Sequence, residues 1–488
     1  MSPSEPIVTA ELHVASGEMD HAPDPADTIA AVATPPGRGG IGIVRLSGPD
    51  SRRIAETLLR LHRPLEPARA TLAAVLDPQQ DSLGPDAPAI DEAVVTAFVA
   101  PHSYTGEDVV EIAAHGSPIV LETILRASIA AGARLAQPGE FTQRAFLNHR
   151  IDLTQAEAVH DLIAAHTLEQ ARMAAQQLGG ALSRRIAPIK EQLVTLIALL
   201  EAGMDFAAGE LDDVDVVPPA QIASSIAQIQ QPLDALARSY AQGHRLREGA
   251  SLALVGRPNV GKSSLFNRLL DRDRAIVTPL PGTTRDTVEE TTALGGIPIR
   301  LIDTAGLRLA HESPADQAEA LGIARSREAL ADADLVLLVL DATAPTTPEE
   351  LALLDSFAAR PHLVARNKAD LVATSAAFFD EPSDADSLLT SALTGQGLDT
   401  LRARILTLLN ASGSAATTGV LNSLRQQQAV ASALDALAAA SIANANAIPH
   451  EFLLTDLHAA LRFLDTLTGE TTSDDILHRI FSTFCIGK

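Results

Sequence analysis

Apolar residues are spaced differently in successive stretches of this chain, and each change of spacing marks a part. Between Asp27 and about Asn148 they come in short runs, Ile29–Ala33, Ile41–Leu46, Ala93–Val99 and Val109–Ala113, cut by Gly/Pro loops. Such runs predict strands, and the stretch Ser51–Leu61 between them predicts a helix, so this part reads as a compact α+β domain. From Leu153 to about Arg247 the period becomes helical. Ile189, Leu193, Leu196, Ile197, Leu200 and Met204 fall on one helix face, and Pro218-Pro219 breaks the pattern before the next helix. At Ser251 the period changes again. The buried runs Leu252–Val255, Ile299–Ile302, Leu335–Leu340, His362–Arg366 and Leu388–Ser391 alternate with helical stretches, as in a parallel sheet with crossovers. After a small-residue linker, SGSAATTG, helix returns with Leu454, Leu457, Leu461, Leu464 and Leu467. Thr472-Ser473-Asp474-Asp475 then caps a last helix ending near Phe484.

Helical text on both sides of an α/β block implies an α/β domain inserted into a helical one. The expected parts are 1–25, a polar disordered extension; 26–148; 149–247, the first helical half; 248–411, the insert; 412–484, the second helical half; and 485–488, a tail.

Composition narrows the class. Of 488 residues 46% are hydrophobic and 20% charged, which is globular, and aromatics are only 3% with no Trp, which suits helices packed through small aliphatics. A single Cys excludes an internal disulfide framework and fits a reducing compartment. The first residues lack a basic start and an apolar core, so no signal peptide is visible. The apolar run Leu335–Leu340 is far short of the ~20 residues of a membrane span, so the cytoplasm is expected. A net charge of −24 repels phosphate backbones over the surface as a whole. Work on nucleic acid would need a local basic pocket or a basic partner.

The insert carries the clearest chemistry. Gly256-Arg257-Pro258-Asn259-Val260-Gly261-Lys262-Ser263 fits G-x-x-x-x-G-K-[ST] between a strand and a helix. Its glycines let backbone N–H groups turn around phosphate oxygens, Lys262 reaches the β- and γ-phosphates, and the Ser263 hydroxyl ligates Mg²⁺. Gly282-Thr283-Thr284 follows at switch distance, with Thr284 a second Mg²⁺ hydroxyl. Asp303-Thr304-Ala305-Gly306 closes a strand; Asp303 can hold a metal-bound water, and the Gly306 N–H can sense the γ-phosphate. Asn367-Lys368-Ala369-Asp370 closes a later strand, and the Asp370 carboxylate offers guanine two acceptors that adenine cannot match. Ser391, Ala392 and Leu393 form the loop beside the base. Ser264 and the stretch Thr278, Pro279, Leu280, Pro281 complete the expected GTP contacts.

Ras-like proteins place a water-orienting Gln after this second motif; here the position is Leu307, which has no hydrogen-bonding group. No arginine finger is identifiable. The Asn259 carbonyl, with backbone carbonyls of the Thr278–Thr284 stretch, can instead coordinate a monovalent cation beside the β/γ bridge. Alone, Asn259 would read as a turn residue.

Outside the insert, three segments and the tail carry a further resemblance. They are Asp27-Thr28-Ile29-Ala30-Ala31 running on to Ala33–Arg45, Ser103-Tyr104-Thr105-Gly106-Glu107-Asp108 with Glu111 and His115-Gly116, and Pro138–Asn148; the chain closes with Phe484-Cys485-Ile486-Gly487-Lys488. With the inserted GTPase, the chain over about 27–488 closely resembles the MnmE (TrmE) family of tRNA-modification GTPases. The resemblance implies an α+β multidomain protein: an N-terminal tetrahydrofolate-binding-like dimerisation domain, and an all-helical domain interrupted by an α/β P-loop GTPase domain. It implies a homodimer that joins a flavin-dependent MnmG-like subunit in a heterotetramer. The complex installs an aminomethyl or carboxymethylaminomethyl group on C5 of the wobble uridine of certain tRNAs. The carbon comes from a 5,10-methylene or 5-formyl tetrahydrofolate, and tRNA is contacted largely through the partner. GTP hydrolysis is implied to depend on K⁺ and to accompany G-domain dimerisation.

Residue by residue, the resemblance puts folate on Arg45, Glu111, Arg150 and Lys488, and K⁺ on Asn259, Thr278, Leu280 and Thr283. Without it, Arg45 and Arg150 would read as ordinary ion-pair residues. The glutamate that places water aligns with Glu319, and Glu312 is a rival because a few extra residues lie around 311–315. Cys485, near the implied folate, is open to a catalytic or a structural role. The competing reading is a ribosome- or rRNA-associated GTPase, but that calls for a basic RNA-binding module, which a −24 chain argues against. A transferase acting alone is disfavoured because no G-x-G-x-x-G joins a strand to a helix, so redox chemistry needs a partner.

Overall fold

The computed structural model describes residues 27–78, 88–207, 217–270, 289–303, 333–356, 360–372, 387–409, 418–471 and 474–487. Two compact units divide the chain, Met1–Ile151 with Asp475–Lys488, and Asp152–Asp474.

The first unit is built on a seven-stranded sheet in the order β3-β4-β5-β6-β2-β1-β7. Its strands are β1 (Ile29–Val32), β2 (Gly39–Ser47), β3 (Leu59–Leu61), β4 (Thr71–Leu76), β5 (Ala89–Phe98), β6 (Val109–Gly116) and β7 (Arg134–Leu135). All pairs are antiparallel except β1 with β7. Alternation along β1 sorts its side chains. Ala30 joins Val44, Leu46, Val95 and Ile112 in the larger core, while Ile29 and Ala31 pack with Ala136 and Phe141. Helices α1 (Ser51–Leu58), α2 (Pro118–Ala130) and α3 (Glu140–Leu147) cover the sheet.

Two details differ from the sequence pattern. The helix expected over Ser51–Leu61 stops at Leu58, because Leu59 turns extended (φ −124°, ψ 135°) and Leu59–Leu61 pairs with Val75–Ala73 as β3. Strand β4 has no clear signature, because its sequence, TLAAVL, is half small or polar residues with weak strand preference.

The second unit contains a six-stranded sheet in the order β13-β12-β11-β8-β10-β9. Its strands are β8 (Ala250–Val255), β9 (Glu289–Leu294), β10 (Ile297–Asp303), β11 (Leu335–Asp341), β12 (His362–Asn367) and β13 (Ser387–Leu389). Every pair is parallel except β9 with β10, so the sheet is mixed where a parallel one was expected. The polar edge strand β9, EETTAL, contains no apolar run. Leu252, Leu254, Leu337 and Val339 fill one face of this sheet; Val255, Val336, Leu338 and Val364 fill the other. Burial on both faces is what turns these strands into continuous apolar runs.

Helices α4 (Leu153–Ile163), α5 (Leu168–Leu178), α6 (Ala181–Ala207), α7 (Pro219–Arg238) and α8 (Tyr240–Glu248) precede the sheet. Within and beside it lie α9 (Lys262–Leu270), α10 (Pro348–Ser356) and α11 (Leu398–Leu408), and after it come α12 (Leu424–Ala445) and α13 (His450–Thr468). One core joins helices from both sides of the sheet: Ile189, Leu193, Leu196, Ile197 and Leu200 of α6 pack in the same cluster as Val430 and Leu437 of α12 and Leu457 and Leu464 of α13. The chain therefore leaves a helical bundle, builds an α/β domain and returns to the same core. The starts of α4 and α5 are fixed by reciprocal capping boxes, Asp152 with Gln155 and Thr167 with Gln170.

The last helix, α14 (Asp474–Phe481), belongs with the first unit, and it ends earlier than the sequence suggested. The Phe481 ring lies 6.4 Å from that of Phe146 and 5.5 Å from that of Phe484. Its expected capping residues Thr472 and Ser473 lie outside the described residues.

Candidate functional site

The loop between β8 and α9 is shaped by three residues with positive φ: Gly256 (+152°), Asn259 (+65°) and Gly261 (+92°). Two of them also have no room for a side chain. A Cβ on Gly256 would lie 2.3 Å from the Val339 carbonyl oxygen, and one on Gly261 would lie 2.3 Å from Asn367 Nδ2. The motif's glycines are thus demanded by the neighbouring strands as well as by the turn. Lys262 is buried, and its ammonium donates to the carbonyls of Gly256 (2.7 Å) and Arg257 (2.9 Å). A cation is held inside a ring of backbone at the start of a helix, the arrangement that suits polyphosphate. Val260, Leu265, Phe266 and Leu269 anchor the loop and α9 in the sheet's core, while Ser263 and Ser264 stay exposed in the helix's first turn.

The loop after β13 is tied to this loop by Asn367. Its Nδ2 donates to Val260 O (3.0 Å), and its Oδ1 accepts from Ala392 N (3.0 Å). Asn367 is buried and joins the phosphate loop to the loop after β13. Next to it Lys368 takes the left-handed conformation (φ +67°) and donates to Asp341 Oδ2 at 2.6 Å. Burial works against the charge on Asp341, but the hydrogen bonds from Lys368 and Thr343 outweigh it and hold the carboxyl below its usual range. Asp341 has no signature in the sequence, because its link to Lys368 runs across the β11–β12 ladder. Ser391 Oγ donates to Asp370 Oδ1 (2.5 Å) and accepts from Thr394 N (3.1 Å), so the last loop fixes the carboxylate expected to read guanine. Ala369 lies in a short 3₁₀ turn with Asp370, and Leu393 is 80% exposed.

The backbone of Asp303 ends β10 opposite Leu254 of β8. Thr278, Pro279, Leu280, Pro281, Gly282, Thr283, Thr284, Thr304, Ala305, Gly306, Leu307, Glu312, Glu319 and Lys488 lie outside the described residues. Of the expected metal ligands, Ser263 and Asn259 are described.

In the first unit, two of the residues expected at folate pair directly. Arg45 on β2 faces Glu111 on β6 in register, with Nε 2.9 Å and Nη2 2.8 Å from Glu111 Oε1. Arg45 Nη1 also donates to Gly487 O (3.3 Å). The guanidinium lies 5.7 Å from the ring centroids of both Tyr104 and Phe141. Arg150 Nε donates to Ser103 O (3.2 Å), and the buried Ser103 Oγ has no partner among the described residues. The tail is pinned here: Gly139 N donates to Cys485 O (3.4 Å), Ile486 bridges Pro138, and Gly487 has φ +95°. A Cβ on Gly487 would sit 2.4 Å from Val32 O. Cys485 itself is exposed.

Behind this cluster a charged network holds the Ser103–Glu107 loop. Ser47 Oγ contacts Thr105 Oγ1 and Glu107 Oε2, both at 2.7 Å, and Arg144 bridges Glu107 (3.2 Å) to the buried Glu140 (3.1 Å). Arg134 adds a second cation to Glu140 at 2.7 Å. Burial opposes Glu140's charge, yet Arg134 above all, with the Gln137 N–H and Arg144, keeps its carboxyl below the ordinary value.

Comparison with known proteins bears on both sites. A family model described as the MnmE helical domain matches residues 153–485, and one described as the GTP-binding protein TrmE N-terminus matches residues 28–150. A tRNA modification GTPase MnmE of Koribacter versatilis is 53% identical over 466 residues, covering 95% of this chain and 99% of that protein. One of Aquifex aeolicus is 40% identical over 463 residues, covering 95% of this chain and 100% of that protein. Among solved structures, Aquifex aeolicus Era bound to GDP·AlF4⁻ is similar over 38% of this chain and 66% of that one, at 27% identity and a TM-score of 0.28.

Proposed function

The chain belongs to the MnmE family of tRNA modification GTPases, and from that premise we propose that it is the GTP-hydrolysing subunit of a complex that modifies the wobble uridine of certain tRNAs. The observation that carries this reading is the joint placement of a phosphate loop and a guanine-side loop on one buried asparagine, Asn367. A flavin-dependent MnmG-like subunit supplies the redox step and most of the contact with tRNA. The product is an aminomethyl or carboxymethylaminomethyl group on C5.

The donor sets fit the small partners this chemistry needs. Ser263, in the first turn of α9, would hold Mg²⁺ with Thr284, and Mg²⁺ would neutralise charge between the phosphates. Asn259, at its left-handed position in the loop, would hold K⁺ with Thr278, Leu280 and Thr283, in place of an arginine finger. Lys262 binds and polarises the phosphates, and Glu319 places the attacking water. A tetrahydrofolate, which supplies the one-carbon unit when bound, combines carboxylates with a hydrogen-bonding ring edge. Arg45, Glu111, Arg150 and Lys488 match that combination, and the orphaned buried Ser103 Oγ supports a polar guest beside them. Cys485 lies exposed next to this cluster, where its thiol is available to the transfer.

Homodimerisation through the first unit is supported by its outer sheet face. Leu72 and Val94 sit opposite each other on β4 and β5 and are 57% and 45% exposed, and Ile41 on β2 is 68% exposed. No helix among the described residues is long and apolar enough to cross a membrane.

Mass analysis of tRNA nucleosides from cells lacking this protein tests the reading. Wobble uridines without the C5 group are expected, and unchanged nucleosides would refute it.

A further inference from the structure

The strands that end in the phosphate loops are gripped at their opposite ends by the α4–α5 corner. β8 starts at Ala250 and ends at Val255, where the phosphate loop begins; β10 starts at Ile297 and ends at Asp303. At the base of β10, Thr167 Oγ1 donates to Gly296 O (2.7 Å). Ahead of β8, Gln170 Nε2 donates to Arg247 O (2.8 Å), and the Arg247 side chain donates through Nε to Asp161 Oδ1 (2.8 Å). The two strands are paired from Ile299 and Ala250 to Asp303 and Leu254, so they move together.

Asp161 does more than hold Arg247. Its second oxygen accepts from Asn422 Nδ2 at 3.1 Å. Four residues earlier on the same helix face, Glu157 accepts from Arg425 Nε (2.7 Å) and Gln426 Nε2 (2.8 Å) in the first turn of α12. One carboxylate therefore joins the chain just before the GTPase insert to the chain just after it. Both acids are largely buried. A buried ion pair adds little stability over an apolar contact of the same shape, so its worth lies in the geometry it imposes.

The joint also has room and reason to rearrange. A cleft of about 780 Å³, lined by His166, Gln170, His244, Arg247, Thr291 and Arg300 among others, lies between α8 and the base of the sheet. The buried polar atoms without a partner among the described residues include three near this joint, Gln177 Oε1, His244 Nδ1 and Asn422 Oδ1. Groups left unsatisfied in one arrangement favour a second in which they are paired.

We propose that Asp161 is a positioning residue that couples the nucleotide state of the GTPase insert to the start of α12 in the helical bundle. Loss of the γ-phosphate shifts the ends of β8 and β10, the strands carry the shift to Arg247 and Gly296, and Asp161 passes it to Asn422. The inference rests on the GTPase assignment alone and is independent of what is done to tRNA.

Hydrogen exchange on the full-length protein tests it, comparing the GDP state with a state loaded with a non-hydrolysable GTP analogue. In the unaltered protein the amides of Gln426 and Gln427 are expected to differ in protection by about tenfold or more between the two states, within the usual range of allosteric coupling. In Asp161→Asn the difference is expected to fall below about twofold, with GTP hydrolysis within about threefold of normal and a lowered thermal midpoint, because the Arg247 guanidinium loses its buried anion. Asp161→Glu, which keeps the charge, is expected to recover part of the difference. Persistence of the full difference in Asp161→Asn overturns the proposal. So does equal protection in both states of the unaltered protein, or a loss of protection in Asp161→Asn that is the same in both states. Should Asp161→Asn fail to fold, Asn422→Ala, which removes the other end of the same bond, is read in the same way, and a retained difference in that variant overturns the proposal.

Discussion

Asn367 Nδ2 donates to Val260 O at 3.0 Å, so the asparagine that ends β12 holds the β8–α9 loop. Its other side-chain atom accepts from Ala392 N, and the residue is 2% exposed. Asn367→Ala leaves the buried Val260 carbonyl unpaired, at about 1–3 kcal/mol, and takes the acceptor from the half-buried Ala392 N–H. A fall in GTP affinity of tenfold or more is expected, measured by titration with a fluorescent guanine nucleotide. Gly261→Ala should reproduce the defect, because its Cβ would lie 2.3 Å from the same amide nitrogen at a φ of +92°. Normal affinity in both variants would contradict this account.

Gly487→Ala should dislodge the tail. The new methyl would lie 2.4 Å from Val32 O at a φ of +95°, a strain of about 1–3 kcal/mol. Displacing the Gly487 carbonyl removes an acceptor from Arg45, so tRNA modification is expected to fall at least tenfold while GTP hydrolysis is kept. The two activities are read by nucleoside mass analysis and phosphate release, and a proportional loss of both would count against the tail's placement beside Arg45.

Glu140 makes the first unit acid-sensitive. Its carboxyl is held below the ordinary value of 4.5 in the folded state, so the unfolded chain binds the proton more readily. The stability this contributes is complete above pH 4.5 and is lost as pH falls from there through the depressed folded value. Glu140→Gln should be less stable at neutral pH by about 3–5 kcal/mol, since it leaves Arg134 and Arg144 without their shared anion. Its denaturant midpoint should also fall less steeply with acid below pH 4.5 than that of the unaltered protein. Parallel profiles would show that the proton acts elsewhere.

The cation reading of Asn259 predicts that hydrolysis in K⁺ exceeds that in Na⁺ by about 100–1000-fold, the scale of losing one charge stabiliser at a transition state. Phosphate release at matched ionic strength decides it, and equal rates rule the cation out.

Where function fixed residue types in tight spacing, the sequence was readable. Gly256, Gly261 and Lys262 stand where loop curvature, a neighbouring strand and the phosphates each restrict the choice. The helix faces of α6 and α13 were readable for a different reason, since only a helix turns residues at that spacing onto a single buried stripe. Elements defined by their neighbours were not readable. β3 continues a good helical pattern and becomes a strand only because Val75 offers it a ladder. β9 is polar and exists as the edge partner of β10. Asp341 and Asp161 carry no motif, because each acquires its role from a cation that folding brings from another element.

The bond from Arg45 to Gly487 spans 442 residues of chain. The tail that reaches Arg45 is synthesised long after strand β2, together with the helix that sets Phe481 against Phe146. At ~5–20 residues per second the first unit waits for roughly twenty seconds to a minute and a half with the Arg45 site open. A chain truncated anywhere in the GTPase or the helical bundle leaves that site open for good, so it is finished only on proteins translated through to residue 487.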